Sequence, residues 1–410
     1  MVARRAVVVA STVVSTVTST VVSTVAACLL VVVAIVGCTP TPPVSQPPRI
    51  ERPEPPPVDP VQQYADDRLG VMTLEEKIAS LLMLHLPGTD PAALGLFSRT
   101  VKVGGLILMG DNIPEPEDQL AAIIPALSAD PGLPILIGID QEGGTVRRMG
   151  SDKWASAERL RYLPPAAARE AFSARSTLLK SVGISVNFGV VADVTGDRYS
   201  FIFDRSMGST GAEAAPRVGE AVAGERGTVL STLKHFPGHG ATPGDSHSSI
   251  PTTAMGYDEW RAQHAPPFEA GIAAGAEFVM FGHLQFDAID PVPASLSVRW
   301  HQILRDDLGF SGVTITDDML MLQRSGRPEY ANPSENAILA LAAGNTMLLY
   351  VGSIDSATLV ADISAAVTDG RISAESIDQS ARKLLVLRRE LSGQTGRFVH
   401  CFDECLAMIE

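Results

Sequence analysis

Cysteine is missing from the whole interior of this sequence. Four occur in 410 residues, Cys28 and Cys38 towards one end and Cys401 and Cys405 at the other. No disulfide can therefore staple the body of the fold; Cys401 and Cys405 are close enough to pair, but only in an oxidising compartment. Positive charge is short as well, with 32 Lys and Arg against 46 Asp and Glu and a formal charge of -14. Without basic clusters this argues against nucleic acid as a partner. The acidic excess says little about a substrate. No Gly-x-Gly-x-x-Gly follows the first strand-like run, which argues against an open doubly wound sheet.

What is present begins with an export signal over residues 1–37. Arg4 and Arg5 form a short basic start, and an uncharged run rich in Val, Ala, Thr and Ser continues to Gly37. The run closes on Ile35-Val36-Gly37-Cys38, which resembles a bacterial lipoprotein box. The resemblance implies cleavage before Cys38, lipidation of that cysteine, and a protein held at the outer side of the cytoplasmic membrane. The apolar stretch is also long enough to span a bilayer if left uncleaved. Residues 38–60 are proline-rich, with Thr-Pro-Thr-Pro-Pro and Pro-Glu-Pro-Pro-Pro among them. Such a segment favours polyproline II and acts as a spacer that extends ~3.1 Å per residue.

Residues 61–392 have the pattern of one folded domain, and 393–410 form a tail too short for another. Eight apolar runs read as strands: Leu81–Leu86, Gly105–Met109, Ile135–Ile139, Ile184–Phe188, Thr228–Leu233, Phe278–Phe281, Val313–Thr316 and Thr346–Val351. Between them, Pro116–Ala129, Pro164–Ser181, Tyr257–Ala274 and Ser334–Ala343 suit helices. The alternation predicts an α/β fold, a single parallel (β/α)8 barrel of the TIM type. Such a barrel carries its functional groups where its strands end. Charged groups do follow five successive runs: Asp140, Glu142, Arg147 and Arg148; Asp193, Asp204 and Arg205; Lys234 and His235; His283; Asp317 and Asp318.

The densest of these ends is Lys234-His235-Phe236-Pro237-Gly238-His239-Gly240, continuing to Asp245-Ser246-His247. Two prolines and three glycines between Pro237 and Gly244 preclude a regular helix. His235 and His239 therefore do not share a helical face as a metal-binding pair would, and Gly238-x-Gly240 lacks the helix start of a phosphate cradle. Acid/base chemistry suits the loop better, because Asp245 can orient the His247 ring. A structural role for these histidines is the plain alternative.

Lys-His-Phe-Pro-Gly-His-Gly followed by Asp-Ser-His resembles the signature of the glycoside hydrolase family 3 β-N-acetylhexosaminidases, with similarity from about Leu74 to about Arg389. Ser311-Gly312-Val313-Thr314-Ile315-Thr316-Asp317-Asp318-Met319 is similar to that family's nucleophile motif. The resemblance implies Asp317 as nucleophile, His247 as acid/base and Asp245 as its partner, in retaining hydrolysis of terminal β-linked N-acetylglucosamine from peptidoglycan fragments. Asp318 competes with Asp317, but neighbours on a strand face opposite ways. The same resemblance places Asp140, Arg148, Arg205, Lys234 and His235 around the sugar, with no metal or organic cofactor. It leaves phosphorolysis, a β-glucosidase and a lipid-anchored sugar-binding protein as alternatives. The sequence departs from the family at Val190, at the apolar lead Phe201-Ile202-Phe203 and at Thr346. The loop Pro237–Gly244 is expected to close over bound sugar.

Overall fold

Eight short strands, nearly all of their residues buried, close into a parallel barrel: β1 Leu82–Leu84, β2 Gly105–Leu108, β3 Leu136–Ile139, β4 Val186–Val191, β5 Leu230–Phe236, β6 Phe278–Phe281, β7 Val313–Asp318 and β8 Met347–Tyr350. The computed structural model describes residues 59–399. The leader, Cys38, the proline-rich segment to residue 58, and Cys401 and Cys405 lie outside the described residues. No helix among the described residues is long and apolar enough to cross a membrane.

Strands of a parallel barrel are covered on both faces, so they read as continuous apolar runs rather than alternating ones. That is why the runs locate all eight. Closure pairs Leu82 with Leu348 on β8 and Met83 with Gly105 on β2. Three strands run past the ends of their runs: β4 reaches Val191, β5 Phe236 and β7 Asp318, with a register break between β4 and β5, between β5 and β6, and between β7 and β8. The first two are also polar inside. Asn187, Ser231, Thr232 and Lys234 are buried within them, and these polar residues interrupt the apolar count. Lys234 and His235 thus belong to β5 itself rather than to the loop after it.

The helices depart further. Pro116–Ala129 is no single helix but 3-10 turns at Glu117–Gln119 and Ile124–Leu127 around one α turn, Leu120–Ile123. Pro125 sits inside it and supplies no N–H to continue the ladder. Tyr257–Ala274 divides at His264 into Tyr257–Gln263 and Ala265–Ala274, where Pro266 and Pro267 open the second helix. A helix over Gly211–Glu225 contains Pro216 and several glycines, residues that hide it from propensity. At Gly224 a Cβ would lie 2.5 Å from the Arg169 carbonyl oxygen, so glycine lets this helix press on Ala166–Ser181.

Behind β4 lies a buried polar chain. Asn187 Nδ2 donates to Glu225 Oε1 (2.6 Å) and to the Gln141 carbonyl (3.1 Å), and Gln141 Nε2 donates to Asp152, which pairs with Arg175 (2.7 Å). Burial lifts the Glu225 carboxyl to about 8, so it is neutral at neutral pH. An unfolded glutamate ionises near 4.5, so the folded form holds the extra proton between about 4.5 and 8 and loses stability as pH rises through that window. Burial pushes His239 and His301 down to about 4, with the opposite sign, but only below their unfolded value of 6.5. Between pH 6.5 and about 8 the melting midpoint of Glu225→Gln should therefore fall less than that of the wild type, by a few degrees. Identical slopes in calorimetric scans would reject this assignment.

Candidate active site

At the C-terminal mouth of the barrel, two acids and three cations interlock. Lys234 Nζ lies 2.8 Å from Asp140 Oδ1 and 2.7 Å from Glu142 Oε1. Arg148 Nη2 donates to Asp140 Oδ2 (3.0 Å), and Arg205 donates from Nε and Nη2 to the two Glu142 oxygens (2.9 and 2.7 Å). Burial would raise Glu142, but Arg205 and Lys234 outweigh it and hold the carboxyl at about 2. Burial would likewise lower Lys234, yet Asp140 and Glu142 keep its pKa above the ordinary value. An ammonium has three donors and Lys234 uses two here, so one remains for a ligand; each Asp140 oxygen also keeps a lone pair.

The Lys234–His235 peptide is cis, and both side chains line the cavity. His235 Nδ1 donates to Asp193 Oδ2 (2.6 Å) and its backbone N–H to Oδ1 (3.1 Å). Asp193 is fully buried, which would raise its carboxyl, but its contacts with His235 and His239 hold it below the ordinary carboxylate range.

Across the mouth, β7 presents Asp317. Its Oδ1 accepts the Asp318 N–H (2.8 Å). Burial alone would raise its pKa; His235, His283, that N–H and Lys234 more than compensate, so the carboxyl stays below its ordinary range and is ionised at neutral pH. Asp318 turns the other way, as the strand alternation requires. It pairs with Arg324 (3.0 Å) and accepts the Leu320 and Val351 N–H groups. His283 is buried and does not line the cavity; it bonds Ser295 Oγ (2.7 Å) and the Asp318 carbonyl (3.0 Å), fixing the backbone beneath the carboxylates.

The third group arrives on the loop after β5. Gly240 packs so tightly there that a Cβ would lie 1.9 Å from the Val194 carbonyl oxygen, which sets the loop against the segment that follows β4. Further on, His247 Nδ1 meets Asp245 Oδ1 at 2.5 Å, and the His247 N–H donates to the same oxygen (3.0 Å). Burial raises the Asp245 carboxyl, but these two bonds hold it below its usual value. With Nδ1 engaged, Nε2 is the nitrogen left for a substrate. The His247 side chain is 64% exposed.

Asp317, His247, Asp140, Arg148, Arg205, Lys234 and His235 all line one cavity of about 240 Å³, with Phe201 as a wall and Met280 and Leu349 in its lining. Asp245 stands behind His247. The volume is below the range for drug-sized ligands and suits a single sugar ring. A cavity of about 440 Å³, beside Val103 and Ile135 at the N-terminal ends of β2 and β3, holds none of these groups. His235 on β5 and His239 and His247 on the loop after it go to three different oxygens, on Asp193, Ser246 and Asp245. Among the described residues no group of three His, Cys, Asp or Glu is placed to hold a metal.

Glu142, Asp193 and Phe201 complete the site, although the sequence motifs assign none of them to it. Glu142 stands two residues after Asp140, just past the end of β3, and both acids meet Lys234; that spacing could have found it. Asp193 and Phe201 meet their partners only through the tertiary fold.

The Glycosyl hydrolase family 3 N terminal domain matches residues 73–387. A β-hexosaminidase of Pseudomonas aeruginosa is 33% identical over 287 residues, covering 68% of this chain and 84% of that protein. An uncharacterized secreted glycosyl hydrolase of Arthroderma benhamiae is 32% identical over 328 residues, 76% of this chain and 92% of its own. The solved structure of a glycoside hydrolase family 3 β-N-acetylglucosaminidase from Paenibacillus sp. str. FPU-7 superposes with a TM-score of 0.73 at 31% identity. That match covers 81% of this chain and 65% of the Paenibacillus one, just under two thirds.

Proposed function

Since this chain belongs to glycosyl hydrolase family 3, we propose that it releases terminal non-reducing β-linked N-acetylglucosamine by hydrolysis with retention. One observation carries the reading: an ionised aspartate on β7 and a carboxylate-backed imidazole after β5 line the same sugar-sized cavity. Asp317 attacks the anomeric carbon while His247 Nε2–H gives its proton to the departing glycosidic oxygen. In the second step His247 takes a proton from water, the water oxygen bonds the anomeric carbon, and Asp317 leaves as a carboxylate. Asp245 keeps the ring oriented throughout. Asp140, Arg148, Lys234 and His235 bind the sugar hydroxyls, and Arg205 acts mainly by fixing Glu142 beneath Lys234.

The substrate class is a peptidoglycan fragment in which N-acetylglucosamine precedes a muramic acid residue. The enzyme works outside the cytoplasm, tethered through lipidated Cys38; the secreted relative supports the location. Aryl N-acetylglucosaminide should be turned over at least about 10²-fold faster than aryl glucoside, the discrimination this reading requires. Added phosphate should leave free sugar as the product. Sugar 1-phosphate would assign a phosphorylase, faster glucoside turnover a β-glucosidase, and no turnover of either a binding protein.

A further inference from the structure

Asp245, Ser246 and His247 are consecutive, yet they face different ways. The side chains of Asp245 and His247 are 47% and 64% exposed, whereas Ser246 between them is 3% exposed. Its Oγ lies 2.8 Å from His239 Nε2. The other hydrogen bonds of this stretch are internal: Asp245 with His247, Ser249 Oγ to the Asp245 carbonyl, and Ser248 N–H to the same oxygen. Among the described residues, His239–Ser246 is thus the only hydrogen bond tying residues 243–249 to the rest of the protein.

The inner end of this bond is well fixed. His239 is 1% exposed, its backbone N–H donates to Asp193 Oδ1 (2.6 Å), and Phe201 packs edge-on against its ring at 4.6 Å. Asp193 in turn holds His235, so one buried carboxylate indexes both the sugar-binding histidine and the support of the acid/base loop. His239 stays uncharged in the neutral range because burial lowers its pKa to about 4.

We propose that Ser246 and His239 are positioning residues, a buried strut that sets His247 over the cavity in reach of the glycosidic oxygen. The proposal rests on the acid/base role given to His247 above. Neither residue transfers a proton; the strut limits how far the exposed pair can stray from the bond being broken. A misplaced acid slows only reactions that need one, which distinguishes this role from simple support of the fold.

The test is the leaving-group dependence of kcat/KM, which reports the glycosylation step alone. Ser246→Ala should lower kcat/KM about 10- to 100-fold for a saccharide or alkyl aglycone, within the range that general acids contribute. With a 2,4-dinitrophenyl aglycone, which departs without a proton, the loss should stay within about 3-fold. Ser246→Thr keeps the hydroxyl and should restore most of the saccharide activity. In a His247→Ala background, adding Ser246→Ala should change kcat/KM less than about 2-fold, since the two act through one group. Equal losses for all aglycones, or losses that still multiply in the His247→Ala background, would overturn the strut. Undiminished saccharide turnover by His247→Ala itself would reject the acid/base assignment, and the strut with it.

Discussion

Asp317→Asn should retain its fold and lose at least about 10⁴-fold in kcat on every β-N-acetylglucosaminide, activated or not. The amide has the size and shape of the carboxylate but is no nucleophile towards an anomeric carbon. Unlike a defect in the acid, this one cannot be relieved by a better leaving group. Stability should change little, because Asp317 makes no ion pair among the described residues and its Oδ1 accepts only a backbone N–H. The local field of His235, His283 and Lys234 favours the charge that is lost, so a fall of at most a few degrees in melting midpoint is expected. Asp318→Asn is the matched control. It breaks the bond to Arg324 and weakens two backbone contacts, so it should cost stability while retaining substantial turnover. If Asp317→Asn kept activity within about 10-fold of the wild type, or if Asp318→Asn were the dead variant, the nucleophile would be misassigned.

How much of this is legible in the sequence depends on the distance over which each feature is encoded. The barrel strands are local: a short row of apolar residues shows itself without knowledge of what covers it. Asp317 is nearly as local, a carboxylate at the close of Val313-Thr314-Ile315, and the strand's alternation separates it from Asp318. The dyad of Asp245 and His247 is two residues apart and equally readable. Glu142 is different. Its place two residues after Asp140 is readable, but its partners, Arg205 63 residues away and Lys234 on another strand, are set only by the tertiary fold. His239 sits at a spacing that suggests a metal ligand, but its ring faces Ser246 and its N–H faces Asp193, across 46 residues. Helix ends are obscured for another reason. Pro125, Pro216 and Pro266 have opposite effects, breaking one helix, sitting within another and opening a third, and only tertiary packing decides which.

Lys234→Met is expected to affect stability and activity together. The Lys234 side chain is 3% exposed and lies between Asp140 and Glu142, within 2.8 Å of both. Methionine fills most of the same volume, so little is lost in packing; what is lost is the charge between two carboxylates. Removing one partner from a buried ionic group costs about 3–5 kcal/mol, because the acids remain desolvated and begin to repel each other. For a domain of this size that corresponds to a fall of about 4–7 °C in melting midpoint. The sign of the pH dependence identifies the cause. Glu142, held at about 2 in the folded protein against 4.5 unfolded, contributes stability that is present above 4.5 and disappears as pH falls towards 2. Without Lys234 that contribution shrinks, leaving Arg205 as the partner of Glu142. The gap between variant and wild-type midpoints should therefore narrow as pH is lowered from about 4.5. Turnover should drop about 10²-fold at neutral pH as a donor to the sugar is lost, and Asp317 loses part of the field that keeps it ionised. A stability gap that stayed constant across the acid range would mean that packing around the lysine stem, rather than its charge, is what the site requires.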